Sequence, residues 1–124
     1  TLTFPQTLVL RYAHFEQAGR KQPQVAEDYA KWFLARLRTL EPLPTERDHL
    51  CAGRFTAADV SVGYALLLAQ HLELAGRFTP SVAAYWDRLQ ARPGFKAAMS
   101  AQARAAKTQG VSTTPAPEIR PNRS

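Results

Sequence analysis

The chain has 124 residues, of which 45% are apolar and 21% charged, a size and composition that suit one domain with a buried core. No apolar run approaches the roughly 18 residues of a membrane-spanning helix, so we expect no membrane segment. The formal charge is +6, but residues 1–91 hold ten Lys or Arg against nine Asp or Glu, whereas residues 92–124 hold six against one. A nearly neutral fold with a basic C-terminal part argues against nucleic-acid binding by the fold.

The cysteine content and the first residues bear on the location of the protein. A single cysteine, Cys51, cannot form an internal disulfide, and the chain opens with no signal-peptide pattern. We therefore expect a reducing, cytoplasmic location. Because the chain begins at Thr1 and its one methionine is Met99, we also expect the natural start to lie upstream.

The spacing of apolar residues predicts two helices in the first third of the chain. Residues 8–18 place Leu8, Tyr12 and Phe15 on one face, with Pro5 expected to kink or open this helix. Pro23 suits the first position of a second helix, expected to run to Leu40. Its apolar side chains recur every three or four residues, and Glu27 is placed to pair with Lys31. The apolar set is Val25, Tyr29, Trp32, Phe33, Leu37 and Leu40.

The remaining pattern predicts three more helices and a tail. Residues 41–53 read as a linker that covers Leu50 and Cys51. Residues 57–69 are apolar on every side, which is typical of a helix at the centre of a bundle.

Thr79 and Pro80 begin the next helix, whose apolar face is Val82, Tyr85, Trp86 and Leu89. After a break at residues 92–94, a last helix is expected from Phe95 to about Lys107. We thus predict an all-α bundle of about five helices in residues 1–109. Residues 110–124 are proline-rich and are expected to be a disordered basic tail.

A helix-start signal precedes the apolar segment. Thr56 stands at the N-cap and Asp59 three residues later, so the two form a capping box in which each side chain bonds the other residue's amide. Phe55 and Val60 flank the box at the positions of a hydrophobic staple. This arrangement predicts a structural role for Phe55, Thr56, Asp59 and Val60.

The box and the residues that follow it resemble a known family. The pattern of two motifs separated by an apolar helix is similar to the C-terminal helical domain of glutathione transferases. The first motif is Gly53-x-Phe55-Thr56-x-Ala58-Asp59-Val60-Ser61, and the second is Pro80-x-Val82-x-x-Tyr85-x-x-Arg88-Leu89-x-x-Arg92-Pro93-x-Phe95. The resemblance covers residues 4–101. It implies that the box starts the family's buried sixth helix and that the later motif forms the seventh helix and the turn into the eighth.

The resemblance also implies what this chain lacks and what it contributes. The N-terminal thioredoxin-like domain, which holds glutathione and the catalytic residue in the family, is absent, as is half of the first helix, so no catalytic residue is assigned. The intact protein would conjugate glutathione, its co-substrate, to a small apolar electrophile, act in detoxification and form a homodimer. This domain would supply the apolar co-substrate side and part of the dimer contact, and we expect Arg11, Tyr12 and Phe15 to face the cleft. The alternative is that Tyr12 and Phe15 are core residues and Arg11 is solvated.

Other side chains allow a chemical and a structural interpretation. Asp59 is either a catalytic carboxylate or the cap, and no second carboxylate at helical spacing supports the former. Cys51 is either a nucleophile assisted by His14, His49 or His71, or a partly buried inert thiol, which the absence of a motif favours. The scattered histidines predict no metal site. Two other functions remain open: a non-catalytic interaction module with the same helical fold, and a helix-turn-helix regulator, against which the near-neutral fold argues.

Overall fold

The computed structural model describes residues 2–41 and 49–113. Within these ranges the chain forms five α-helices: α1 Thr3–Leu10, α2 Pro23–Leu37, α3 Ala57–His71, α4 Pro80–Ala91 and α5 Pro93–Gln109. A π-helical turn, Arg11–Phe15, follows α1, and 3-10 turns lie at Ala18–Arg20, Arg38–Leu40 and Ala75–Arg77. The described ranges hold no β-strand beyond one isolated bridge between Cys51 and Arg54. The predicted all-α bundle of about five helices is confirmed. Most of the predicted linker and of the predicted disordered tail lies outside the described residues.

The first helix differs from its prediction in position and in buried face. It begins at Thr3 instead of Leu8 and gives way to the π-helical turn after Leu10. Pro5 lies in the first turn, where proline's missing N–H costs no helical hydrogen bond, so it does not interrupt the helix as predicted. The buried residues are Pro5, Gln6 and Val9, whereas Phe15 is exposed. Phe15 is therefore not the core residue that the alternative interpretation expects, and its place on the cleft side stays a prediction.

Helix α2 covers the segment predicted for it, with a 3-10 turn at its end. Its buried residues are Ala26, Ala30, Phe33 and Leu37. Trp32, which belongs to the predicted apolar set of this helix, is 41% exposed. Glu27 pairs with Arg77 and not with the predicted Lys31, because the guanidinium makes two hydrogen bonds to the carboxylate at 3.0 and 3.2 Å.

The core forms where α2, α3 and α4 meet, and Val9 joins it from α1. Helices α3 and α4 each contribute four residues to it. The cluster of buried apolar residues consists of Val9, Ala30, Phe33, Leu37, Ala65, Leu66, Leu68, Ala69, Leu72, Leu74, Val82, Tyr85, Trp86 and Leu89. Within residues 2–41 and 49–113, no helix is both long enough and apolar enough to cross a bilayer.

Helices α4 and α5 follow each other almost directly. The four residues predicted as the apolar face of α4, Val82, Tyr85, Trp86 and Leu89, are its four buried residues, which confirms that prediction. Thr79 caps α4 by accepting a hydrogen bond from the amide of Val82. Helix α5 starts at Pro93, two residues before the predicted Phe95, and ends at Gln109. Gly110 follows it as the C-cap, where a positive φ of 65° suits glycine.

Candidate binding surfaces

The carboxylate of Asp59 lies in the interior and is held by donors from three segments. Its side chain is 1% exposed. Oδ2 accepts from the amide of Thr56 at 2.9 Å, which is one half of the capping box that these two residues form. Oδ1 accepts from the amide of Leu50 at 3.1 Å and from the phenol of Tyr85 at 2.7 Å. The predicted capping role of Thr56 and Asp59 is therefore present, together with two donors that the sequence motif did not indicate.

Burial and hydrogen bonding shift the pKa of the Asp59 carboxyl in opposite directions. Burial raises the pKa of the carboxyl, but the hydrogen bonds from Tyr85, Thr56 and Leu50 and the charge of His49 outweigh it, so the pKa lies below its usual value. Burial and then the neighbouring Asp59 carboxylate raise the pKa of Tyr85. The pair is thus a fixed phenol-to-carboxylate hydrogen bond. A carboxylate whose oxygens are occupied in this way suits structural capping better than proton transfer.

The predicted substrate-side residues lie at the π-helical turn but do not form one apolar wall. Arg11 is exposed, pairs with Glu16 at 3.0 Å and lies 5.3 Å from the centre of the Tyr12 ring. Phe15 is 49% exposed. Tyr12 is half-buried and lines a groove of about 320 Å³ together with Val9 and Leu74. Binding of a substrate by Arg11, Tyr12 and Phe15 stays a prediction.

A larger apolar groove lies between α3 and the α4–α5 corner, and we call it the α3–α5 groove. Its volume is about 410 Å³, within the range of small-molecule sites. The lining residues are mostly apolar or aromatic: Phe55, Asp59, Val60, Gly63, Tyr64, Leu67, Trp86, Leu89, Arg92, Gly94, Phe95, Ala98 and Met99.

One side of α3 is open at this groove, although its composition predicted burial on all sides. Val60 is 58% exposed and Tyr64 is 59% exposed. They lie one helical turn apart on the face that borders the groove, whereas Ala65, Leu66 and Ala69 point into the core. Sequence reasoning missed this surface because an all-apolar helix carries no periodic signal that separates an open face from a buried one.

Phe55 and Val60 both line the groove. Lining the same groove does not establish a contact between the two side chains, and their staple contact stays a prediction. The ring of Phe55 has two other neighbours. It meets the ring of His49 edge to face, with centroids 6.2 Å apart, and the guanidinium carbon of Arg92 lies 3.8 Å from its centre. Arg92 is thereby held at the rim of the groove by a cation–π contact.

Cys51 is exposed, and its predicted partial burial is wrong because it lies in the exposed turn of the Cys51–Arg54 bridge, outside the packed helices. Its predicted inertness stays a prediction. Residues 2–41 and 49–113 contain no group of three His, Cys, Asp or Glu side chains suited to a metal ion.

Comparison with known proteins gives no family assignment. No protein-family model, no curated protein and no solved structure matches the chain significantly. The resemblance to glutathione transferases therefore rests on the sequence motifs alone.

Proposed function

We propose that this chain is the helical domain of a glutathione-transferase-like protein. The observation that carries the proposal is the hydrogen bond between Tyr85 and Asp59. The resemblance includes two motifs, the capping box and the Tyr-x-x-Arg-Leu helix. Asp59 belongs to the first and Tyr85, 26 residues later, to the second, and the two side chains are hydrogen-bonded in the protein interior. The motifs thus act as one structural unit that fixes the start of α3 against α4, which supports reading them as a set.

In this proposal the domain orients an apolar electrophile and excludes water, while another domain binds glutathione and lowers the pKa of its thiol. The side chain best placed to contact such a substrate on the predicted surface is Tyr12, because it lines a groove and is half-buried. Conjugation then forms a bond from the glutathione sulfur to an electrophilic carbon, whose leaving group departs with the electron pair. No residue of this chain is assigned to that step.

The dimer contact of the intact protein belongs to the same proposal. Helices α1 and α2 expose Phe4 and Trp32, whose rings are in edge-to-face contact with centroids 6.0 Å apart, and Tyr29 stacks on Trp32. Exposed aromatic clusters are frequent at protein interfaces. Sedimentation of the complete protein should show a dimer that Trp32→Ser weakens and that Phe15→Ser, a change at an exposed aromatic outside this cluster, leaves intact.

The test of the function is turnover of chlorodinitrobenzene with glutathione. It compares this chain with the product of the complete reading frame that encodes it. Activity of the longer protein, with none from the chain alone, would support the proposal. Turnover by the chain itself would reveal a thiol site that the motifs do not predict. Inactivity of both would favour the second candidate.

That second candidate is a non-catalytic interaction module, and the exposed apolar surfaces favour it. The α3–α5 groove and the Phe4–Trp32 cluster each present large apolar side chains to solvent. Contiguous apolar surface of this kind marks protein or ligand contacts. A thioredoxin-like domain encoded upstream of Thr1 would favour the enzyme, and a different neighbouring domain would favour the module.

A further inference from the structure

A small pocket lies between the end of α2 and the segment that connects α3 to α4, and we call it the α2–α4 pocket. Its volume is about 230 Å³. The residues that line it are Lys31, Leu34, Leu37, Arg38, Arg77, Phe78 and Thr79. Three of these described lining residues are cations and none is an acid. Their charges make the pocket attractive to anions.

The cations on α2 follow from the period of the helix. Residues 31, 34 and 38 recur at intervals of three and four, so Lys31, Leu34 and Arg38 lie on one face. Leu37 is buried beside them and Leu34 is half-buried, which gives the pocket an apolar floor. Lys31 and Arg38 are exposed, and neither forms an ion pair within the described part of the chain. Both cations can thus reach an anion in the pocket.

Arg77 reaches the same pocket from the connecting segment and is held in place there. Its guanidinium donates two hydrogen bonds to the carboxylate of Glu27, at 3.0 and 3.2 Å. A guanidinium has more N–H donors than this pair uses, so others remain for a ligand. Glu27 is the predicted partner of Lys31, and its pairing with Arg77 leaves the lysine available. The three cations still outnumber this one carboxylate.

We propose that the α2–α4 pocket binds a compact polyanion with two or three linked phosphate groups, either as the free ion or as the end of a nucleotide. Sites for organic ligands usually occupy about 300–1,000 Å³, so a pocket of about 230 Å³ favours a small ion over a large apolar body. Guanidinium groups bind phosphate oxygens through paired hydrogen bonds, and lysine adds a compact charge. The hydroxyl of Thr79 accepts from the amide of Val82, so its O–H remains a further donor.

This site is separate from the α3–α5 groove and does not depend on the proposed glutathione chemistry. The experiment is a titration of the 124-residue chain with sodium pyrophosphate at constant ionic strength, followed by amide NMR spectra. We expect one pyrophosphate to bind per chain and to shift the amide signals of Phe78 and Thr79. Orthophosphate should bind about tenfold more weakly, because it engages fewer cations at once. ADP tests the source of the phosphates: affinity equal to that of pyrophosphate supports a nucleotide end, and weaker binding supports the free ion.

Removing one cation tests the pocket directly. Arg38→Met should weaken pyrophosphate binding by about tenfold, the scale of a lost charged hydrogen bond. Arg36→Met is the matched control, because Arg36 lies on the same helix and carries the same charge, but contacts the ring of Trp32 at 6.0 Å and does not line the pocket. Its affinity should stay within about twofold of the unmodified chain. Cooperative thermal unfolding confirms that each variant is folded.

Removing one carboxylate should have the opposite effect. Glu27→Gln keeps an acceptor for Arg77 and removes the negative charge beside the pocket, so pyrophosphate should bind about two- to threefold more tightly. Asp28→Asn is the matched control: Asp28 is the next residue of α2, accepts from Gln24 and does not line the pocket. That change should leave the affinity nearly unchanged.

The proposal is overturned if pyrophosphate does not bind, if orthophosphate binds as tightly, or if the amide shifts are confined to residues 92–124, which hold most of the net positive charge. It is also overturned if either control variant matches its test variant, since the affinity would then follow net charge alone. An oligonucleotide or an acidic peptide that binds where pyrophosphate does not would assign the surface to a macromolecule instead.

Discussion

The phenol of Tyr85 donates a 2.7 Å hydrogen bond to Oδ1 of Asp59 and so joins α4 to the first turn of α3. Both residues are buried, and the carboxylate simultaneously accepts from the amides of Leu50 and Thr56. One side chain therefore connects the segment before α3, the start of α3 and the middle of α4. Loss of the Asp59 side chain should therefore lower the stability of the whole domain.

Tyr85→Phe removes the phenol and keeps the ring in the core. We expect it to lower the free energy of unfolding by about 1.5–3 kcal/mol, because hydrogen bonds to a charged group are worth about that much. Tyr64→Phe is the matched control on α3: its side chain is 59% exposed, and the change should be within about 0.5 kcal/mol. Urea denaturation measures both.

Asp59→Ala should cost more than Tyr85→Phe, roughly 3 kcal/mol or above, because it removes the cap and leaves the donors on Tyr85, Leu50 and Thr56 unpaired. An unchanged denaturation midpoint in Asp59→Ala, combined with lost activity of the complete protein, would instead assign a catalytic role to this carboxylate.

Acid should destabilise the fold through the same residue. Burial raises the pKa of Asp59 and its hydrogen bonds lower it further than burial raises it, so the folded pKa lies below the unfolded value of about 3.9. The stabilisation is therefore complete above that value and is lost as the pH falls through the folded pKa. Measured from about pH 6 downward, the stability advantage of the unmodified chain over Asp59→Asn should shrink below about pH 4. A constant difference across that range would contradict this prediction.

Gly63 and Gly110 should respond to alanine with opposite signs. Gly63 lies inside α3, and an added Cβ would meet only Cδ1 of Leu89, at 3.2 Å. Leu89 also lines the groove, so we expect its side chain to shift by the small distance needed, and the helical preference for alanine should then stabilise the protein by about 0.5 kcal/mol. Gly110 ends α5 with φ of 65°, and alanine there should destabilise by about 1 kcal/mol. Thermal unfolding distinguishes the two. A destabilised Gly63→Ala would show that Leu89 is fixed in place.

Gln6 should be replaceable by methionine at little cost. Its side chain is fully buried, Nε2 donates to the carbonyl of Ala65 at 2.7 Å, and Oε1 has no hydrogen-bond partner within the described part of the chain. Gln6→Met keeps the volume and removes the unpaired oxygen, so the free energy of unfolding should change by less than about 1 kcal/mol. Gln6→Ala leaves a cavity and should cost about 2 kcal/mol or more. A loss in Gln6→Met as large as that in Gln6→Ala would contradict this prediction, because it would show that the bond to Ala65, which both variants lack, outweighs the cavity.

Local signals determined much of the architecture from sequence alone. The capping box of Thr56 and Asp59, the Thr79–Pro80 start of α4 and the break before α5 depend on backbone amides and on dihedral angles within a few residues. The four buried residues of α4 follow from its 3.6-residue period because only one of its faces is apolar. Such features are carried by neighbouring residues and need no knowledge of the fold.

Only the tertiary structure decided which surfaces are closed and which residues are partners. Helix α3 is apolar on every side, so its period could not show that Val60 and Tyr64 remain open while Leu66 is buried. The contact of Arg92 with Phe55 joins residues 37 positions apart, and the pairing of Glu27 with Arg77 joins residues 50 apart. The choice between such partners depends on how helices pack, because a charged or aromatic side chain has several possible neighbours and only their relative positions in space select one.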